Sequence, residues 1–191
     1  MSGAALPEEV RTPRLLLRPF GEADIPGFVP LVGEWEVARW LGRVPHPYTE
    51  RDGREWVDLA ALNRADRAAF DLLAVRLSDG RPVGSVGLRL DRDRPDGGEL
   101  GYWVGRPHQR SGYGLEMVRA MLGAAFGPLG LTRVWAATDP RNAASQALLL
   151  RAGFLRDGER LYDLPARGRT VTAPCFDLTA GRWRTLQETA S

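Results

Sequence analysis

The residues best arranged for chemistry form one short segment, Arg106-Pro-His-Gln-Arg-Ser-Gly-Tyr-Gly114. Glu99-Leu-Gly-Tyr-Trp-Val104 reads as a strand, and Pro107 stops it by lacking an amide donor. Beyond the segment, Leu115, Val118, Met121, Leu122, Ala125 and Phe126 fall on one face of a helix. Two glycines and several unpaired N–H groups therefore sit where a helix begins, at the positive end of its dipole. Such a loop suits a phosphate or pyrophosphate group, because a glycine has no Cβ to hold the oxygens off the amides.

Two nucleotide signatures fail on this loop. A dinucleotide G-x-G-x-x-G needs a third glycine where Met117 stands. A P-loop needs lysine, and all 26 basic residues are arginine. The pattern that fits is Q-x-x-G-x-G, Gln109 to Gly114. It resembles the pyrophosphate loop of the GNAT superfamily of N-acetyltransferases, which bind acetyl-coenzyme A.

Composition narrows the remaining classes. The 191 residues suit one domain with a real core, and 43% hydrophobic with 26% charged content is ordinary for a globular chain. No apolar run approaches a membrane span, and no signal-peptide pattern opens the chain, so a cytoplasmic location is expected. One cysteine, Cys175, excludes an intrachain disulfide and a cysteine-based metal cluster. Without lysine there is no Schiff-base chemistry. The pI near 9.1 accompanies a net charge of only +2, with no arginine stripe, so no nucleic-acid partner is expected. His46 and His108 lie far apart beside prolines and make a poor metal set.

The other elements follow in order. A loose segment 1–11 precedes a strand at 14–18, and Pro26, Pro30 and Gly33 interrupt the helical pattern of 22–41, so two short helices are expected there. Thr49 and Asp52 cap a helix to about Arg64, with Trp56, Leu59 and Leu62 expected inward. Strands at 72–77 and 83–90 flank the turn Asp79-Gly80, and a short strand is expected at 133–138. A helix from Asn142 ends at Gly153, strands at 154–162 and 170–178 close the fold, and 185–191 reads as a tail. The result is a single α/β domain over 12–184. Its mixed, mostly antiparallel sheet has about seven strands, with helices on both faces.

Further patterns agree with the loop: T-P-R-L-L-L-R-P at 12–19, E-V-A-R-W-L-G at 36–42, E-L-G-Y-W-V at 99–104, D-P-x-N-x-x-S at 139–145 and A-G-F at 152–154. Together they resemble the RimJ/RimL branch, which acetylates N-terminal amines of ribosomal proteins and includes relatives acting on other amines. The resemblance implies direct attack of a neutral amine on the acetyl-CoA thioester. By it, Trp103, Val104 and Gly105 contact the pantetheine arm by main chain, with the Val104 N–H as oxyanion donor. Gln109, Arg110, Ser111, Gly112, Tyr113 and Gly114 hold the pyrophosphate, with charge from Arg106 or Arg110. Glu99 is the candidate base, directly or through water, unless the amine deprotonates in bulk solvent. Asn142 caps its helix and bonds the arm, and Ser145, or in competition Tyr162, protonates the departing thiolate. Trp40, Tyr48 and Trp56 wall the acceptor site. A protein N-terminus is the expected acceptor, a small amine or antibiotic the alternative, with a non-catalytic acyl-CoA-binding module as the alternative from another class, and a homodimer is left open.

Overall fold

A computed structural model describes residues 7–190. Eight strands form one sheet: β1 (Val10–Arg11), β2 (Leu15–Arg18), β3 (Ala69–Arg76), β4 (Pro82–Leu90), β5 (Gly97–Val104), β6 (Arg133–Ala137), β7 (Leu155–Leu164) and β8 (Arg169–Thr179). Their spatial order is β1-β2-β3-β4-β5-β6-β8-β7, with every neighbouring pair antiparallel except β5 and β6. The one parallel pair needs a crossover, and α4 (Tyr113–Phe126) supplies it.

Helices cover both faces, as expected. Against one face lie α4, α5 (Ala143–Ala152) and α6 (Ala180–Ala190), burying Met117, Val118, Met121 and Leu149 on Leu72, Leu88, Leu100 and Val134. Against the other lie α1 (Ile25–Gly33) and α3 (Glu50–Ala65), with Phe28, Val29 and Val57 on Leu73 and Val75. Each buried leucine contributes about 2 kcal/mol. Because β3 is covered on both sides it reads as a near-continuous apolar run, interrupted by Asp71. The two expected short helices are present, but they divide after Gly33, where Glu34 is extended, and not at the prolines: α1 carries Pro26 in its first turn and Pro30 inside, and a one-turn helix, α2 (Trp35–Ala38), follows.

Three expectations need correction. The segment read as loose contains β1, where Val10 and Arg11 pair with Leu17 and Leu16; residues 1–6 of that segment lie outside the described residues. The expected tail at 185–191 is instead the end of α6, whose Leu186 packs into the core, and Ser191 lies outside the described residues. Leu59 and Leu62 are 47% and 58% exposed. The buried stripe of α3 is Gly53, Val57 and Ala60, because α1 approaches so closely that a Cβ on Gly53 would come within 2.7 Å of Val29 Cγ2. The sheet of eight strands agrees with the expected mixed, mostly antiparallel sheet of about seven, with β1 at its edge.

Candidate active site

The site is built around a split in the sheet. β5 and β6 pair only through Gly97–Arg133, Gly98–Val134 and Glu99–Trp135, yet β5 runs on to Val104. On its other edge β5 stays paired with β4 as far as Val104, and the Gly105 N–H donates to Val83 O at 2.9 Å. Antiparallel alternation then turns the main chain of Tyr102 and Val104 toward the space that β6 has left. The Val104 N–H is thus an open donor at the split, while the Val104 carbonyl accepts from Gln109 Nε2 at 3.1 Å. Trp103 and Gly105 do not share this freedom. Trp103 pairs with Ser85 on β4, and the Gly105 carbonyl receives the His108 N–H. Of the residues expected to meet the arm by main chain, Val104 is therefore open at the split, as is Tyr102, whereas the main chain of Trp103 and Gly105 is engaged within the protein.

The loop behind the split offers a row of donors. Among the described residues, the N–H groups of Arg110, Ser111, Gly112, Tyr113 and Gly114 donate to no protein acceptor. The two glycines have different reasons to be there. Gly112 has φ +81, a conformation that glycine adopts without strain. Gly114 instead lets α4 close on α5, since a Cβ there would come within 2.7 Å of Leu148 Cδ1. Arg110 reaches φ +59 without being glycine and is exposed, whereas Arg106 is paired with Glu34 at 3.2 Å. Arg14 is an addition from the far side: its Nη1 donates to Ser111 O at 2.9 Å and its guanidinium lies 4.5 Å over the Tyr113 ring. Glu116 holds it there, accepting from Arg14 Nε at 2.7 Å and from Thr12 at 2.6 Å. An anionic diphosphate fits this set of unpaired amides, helix dipole and arginine.

Glu99, Gly101 and Trp103 line the α1–α3 face of β5, and Tyr162 Oη donates to Glu99 Oε1 at 2.8 Å. Burial, then the charge of Glu99, pushes the Tyr162 hydroxyl well above its usual range. On the opposite face, Ser145 Oγ and Tyr102 Oη share a hydrogen bond of 2.9 Å, and burial pushes Tyr102 up to about 12. Asn142 Oδ1 accepts the Ser145 N–H at 3.1 Å, the expected cap, which leaves Nδ2 free to donate. Glu99 and Ser145 thus stand on opposite faces of β5 at the mouth of one split.

A cleft of about 810 Å³ joins these parts, running from Gln109–Gly114 past the split to Trp40, Tyr48 and Trp56 under α1 and α3. Its floor also carries Asp71. A row Asp71, Gly87, Gly101 crosses three strands, and a Cβ on Gly87 would collide with the Asp71 carboxylate. Asp71 has no hydrogen-bond partner among the described residues, and burial lifts its carboxyl from 3.8 to about 6 against the pull of Arg89. His46 stacks near Trp35 and His108 near Tyr113, and no group of three metal-ligating side chains occurs among the described residues.

The family model for the acetyltransferase (GNAT) domain matches residues 14–155. The chain belongs to that family. Similar proteins include an uncharacterised N-acetyltransferase, YoaA, of Bacillus subtilis, 27% identical over 78% of this chain and 84% of its own. The ribosomal-protein-S5-alanine acetyltransferase of Vibrio fischeri superposes with a TM-score of 0.78 at 20% identity, covering 92% of this chain and 98% of its own. RimJ of Mycobacterium smegmatis, solved with CoA-disulfide, gives 0.77 at 17% identity, covering 94% and 93%. This GNAT protein is an acetyl-CoA-dependent N-acetyltransferase. Its sequence pointed to the loop, Glu99, Asn142 and Ser145. Arg14, Asp71 and Tyr102 carried no local signal, because strand neighbours and helix contacts far along the chain place them.

Proposed function

We propose that this enzyme acetylates the N-terminal amine of a polypeptide, in a ternary complex, at the split between β5 and β6. The observation that carries the reading is the placement of Glu99 and Ser145 on opposite faces of β5 at that split. When bound, acetyl-CoA supplies the activated acetyl thioester. The amides of 110–114, with Arg14, hold its diphosphate, and the free main chain of Tyr102 and Val104 with Asn142 Nδ2 holds the arm. Orienting the two reactants in this way is worth about 7–11 kcal/mol of barrier. Glu99, fixed by Tyr162, takes the proton that the acceptor ammonium must lose. The Val104 N–H donates to the oxygen that gains charge during attack. Ser145, linked to Tyr102, holds the proton that the leaving sulfur takes up.

Trp40, Tyr48 and Trp56 form the acceptor wall. Carboxylates and guanidiniums are mixed along that end, with Asp71, Glu99 and Asp163 facing Arg43 and Arg89, so it is not the acidic slot that a small polycation requires. The kinship in fold with the S5-alanine enzyme supports a polypeptide acceptor. Thiol release from acetyl-CoA, measured with a panel of peptides and small amines, tests the reading. Turnover of peptides with free N-termini, lost on N-terminal blocking, is expected. Exclusive turnover of small amines would refute it.

A further inference from the structure

Beside the acceptor cleft lies a second chamber of about 520 Å³ lined by Trp35, Arg39, Trp40, Arg141, Arg167 and Arg169. Trp40 belongs to both cavities, whereas the loop 109–114 belongs only to the first. The chamber is therefore separate from the amides that hold the diphosphate, and it adjoins the place where the acceptor enters.

Its charge is unbalanced. Arg141 and Arg169 converge on one buried carboxylate, Asp139, at 3.0 and 2.6 Å. Arg39 meets Glu36 at 3.0 Å. Among the described residues Arg167 meets no carboxylate: it donates to the carbonyls of Ala38 at 2.5 Å and Val44 at 2.7 Å. Four guanidiniums thus face two carboxylates. Burial, and then the repulsion of Arg169, makes the Arg167 cation easier to discharge. An incoming oxyanion would offset that excess charge with charge-assisted hydrogen bonds.

We infer that this chamber is an anion subsite that takes an acidic side chain close to the N-terminus of the acceptor polypeptide. The inference rests on the polypeptide reading of the acceptor. An extended chain advances about 3.3–3.6 Å per residue, so it can lay its amine beside Glu99 and pass a carboxylate around Trp40. Arginine is the residue for this task, because its planar fork meets a carboxylate with two bonds.

Thiol-release kinetics on peptide pairs with N-terminal alanine, differing only by Glu or Gln near the N-terminus, test it. At one or more positions the Glu peptide should show a kcat/KM about tenfold higher, through KM, fading as salt is raised. Arg141→Gln should bring the ratio near one. Because Arg141 also holds Asp139, Arg39→Gln provides a second variant that does not touch that pair. Equal kcat/KM for every Glu and Gln pair, or a preference surviving in both variants, overturns the subsite. Phosphoethanolamine outrunning both ethanolamine and every peptide would assign the chamber to a small phosphorylated amine and overturn the acidic-peptide assignment. Absence of thiol release with any amine would instead refute the proposed acetylation, a separate outcome.

Discussion

The hydroxyl of Tyr162 donates to Glu99 Oε1 at 2.8 Å, although the two residues lie on β7 and β5 with β6 and β8 between those strands in the sheet. The contact exists because β6 ends at Ala137 while the β7–β8 hairpin continues to its turn at 165–168 and folds back toward Gly42, whose carbonyl receives the Ala166 N–H. The same early end of β6 opens the split. One short strand therefore both bares the main chain of β5 and brings a phenol to its carboxylate.

Glu99→Gln keeps the shape and removes the base, so kcat should fall by about a hundredfold or more. Its acidic limb in the pH profile should flatten. Tyr162→Phe should cost less and act through the orientation of Glu99, lowering kcat with little change in acetyl-CoA affinity. A normal pH profile for Glu99→Gln would clear that residue of the base role.

Ser145→Ala and Tyr102→Phe touch the other side of the split. Both should slow thiol release more than they weaken acetyl-CoA binding, by about ten- to a hundredfold if proton delivery to sulfur matters. Single-turnover kinetics separate that step from product release.

Asp71 gives a pH signature with a definite sign. Its folded carboxyl titrates at about 6 and its ordinary value is 3.8, so folding disfavours the charged form. The penalty is fully present above about pH 6 and is relieved as pH falls toward 4. Asp71→Asn should therefore stabilise the protein by roughly 2–3 kcal/mol at pH 8 and hardly at all at pH 4 in urea titrations. An unchanged difference between the two pH values would contradict the burial argument.

Asp139 should behave in the opposite way. Hydrogen bonding to Arg141, with the charge of Arg169 added, holds it down at about 2, so its contribution is present above about pH 4 and is lost as pH falls toward 2. Asp139→Asn should cost roughly 2–3 kcal/mol at neutral pH, less than a wholly buried pair because Arg141 is largely exposed. The loss should shrink on acidification.

Features settled within a few residues were legible in the sequence. The Thr49–Asp52 capping box, the Asn142 cap, the Asp79-Gly80 turn, the Gly153 stop and the donor loop are all local, and all are present. Partners distant in sequence were not legible. The Glu99–Tyr162 bond, Arg14 on the loop and Tyr102 on Ser145 depend on which elements become neighbours. Side-chain periodicity alone put Leu59 and Leu62 inward, whereas the close approach of α1 at Gly53 rotates the buried stripe of α3. For Gly114, the sequence suggested room for phosphate oxygens, and the three-dimensional packing adds a reason that the sequence did not show. It serves helix packing against Leu148, and the left-handed turn belongs to Gly112.

Gly112→Val forces a β-branched residue to φ +81, costs about 1–2 kcal/mol or more, and should misaim the loop amides. The most direct measurement is a crystal structure with acetyl-CoA, paired with calorimetric affinities for the native chain and this variant. The account predicts the diphosphate on the N–H groups of 110–114, the arm between β5 and β6, and affinity lost in the variant. A diphosphate seated elsewhere, or native affinity in Gly112→Val, would contradict it.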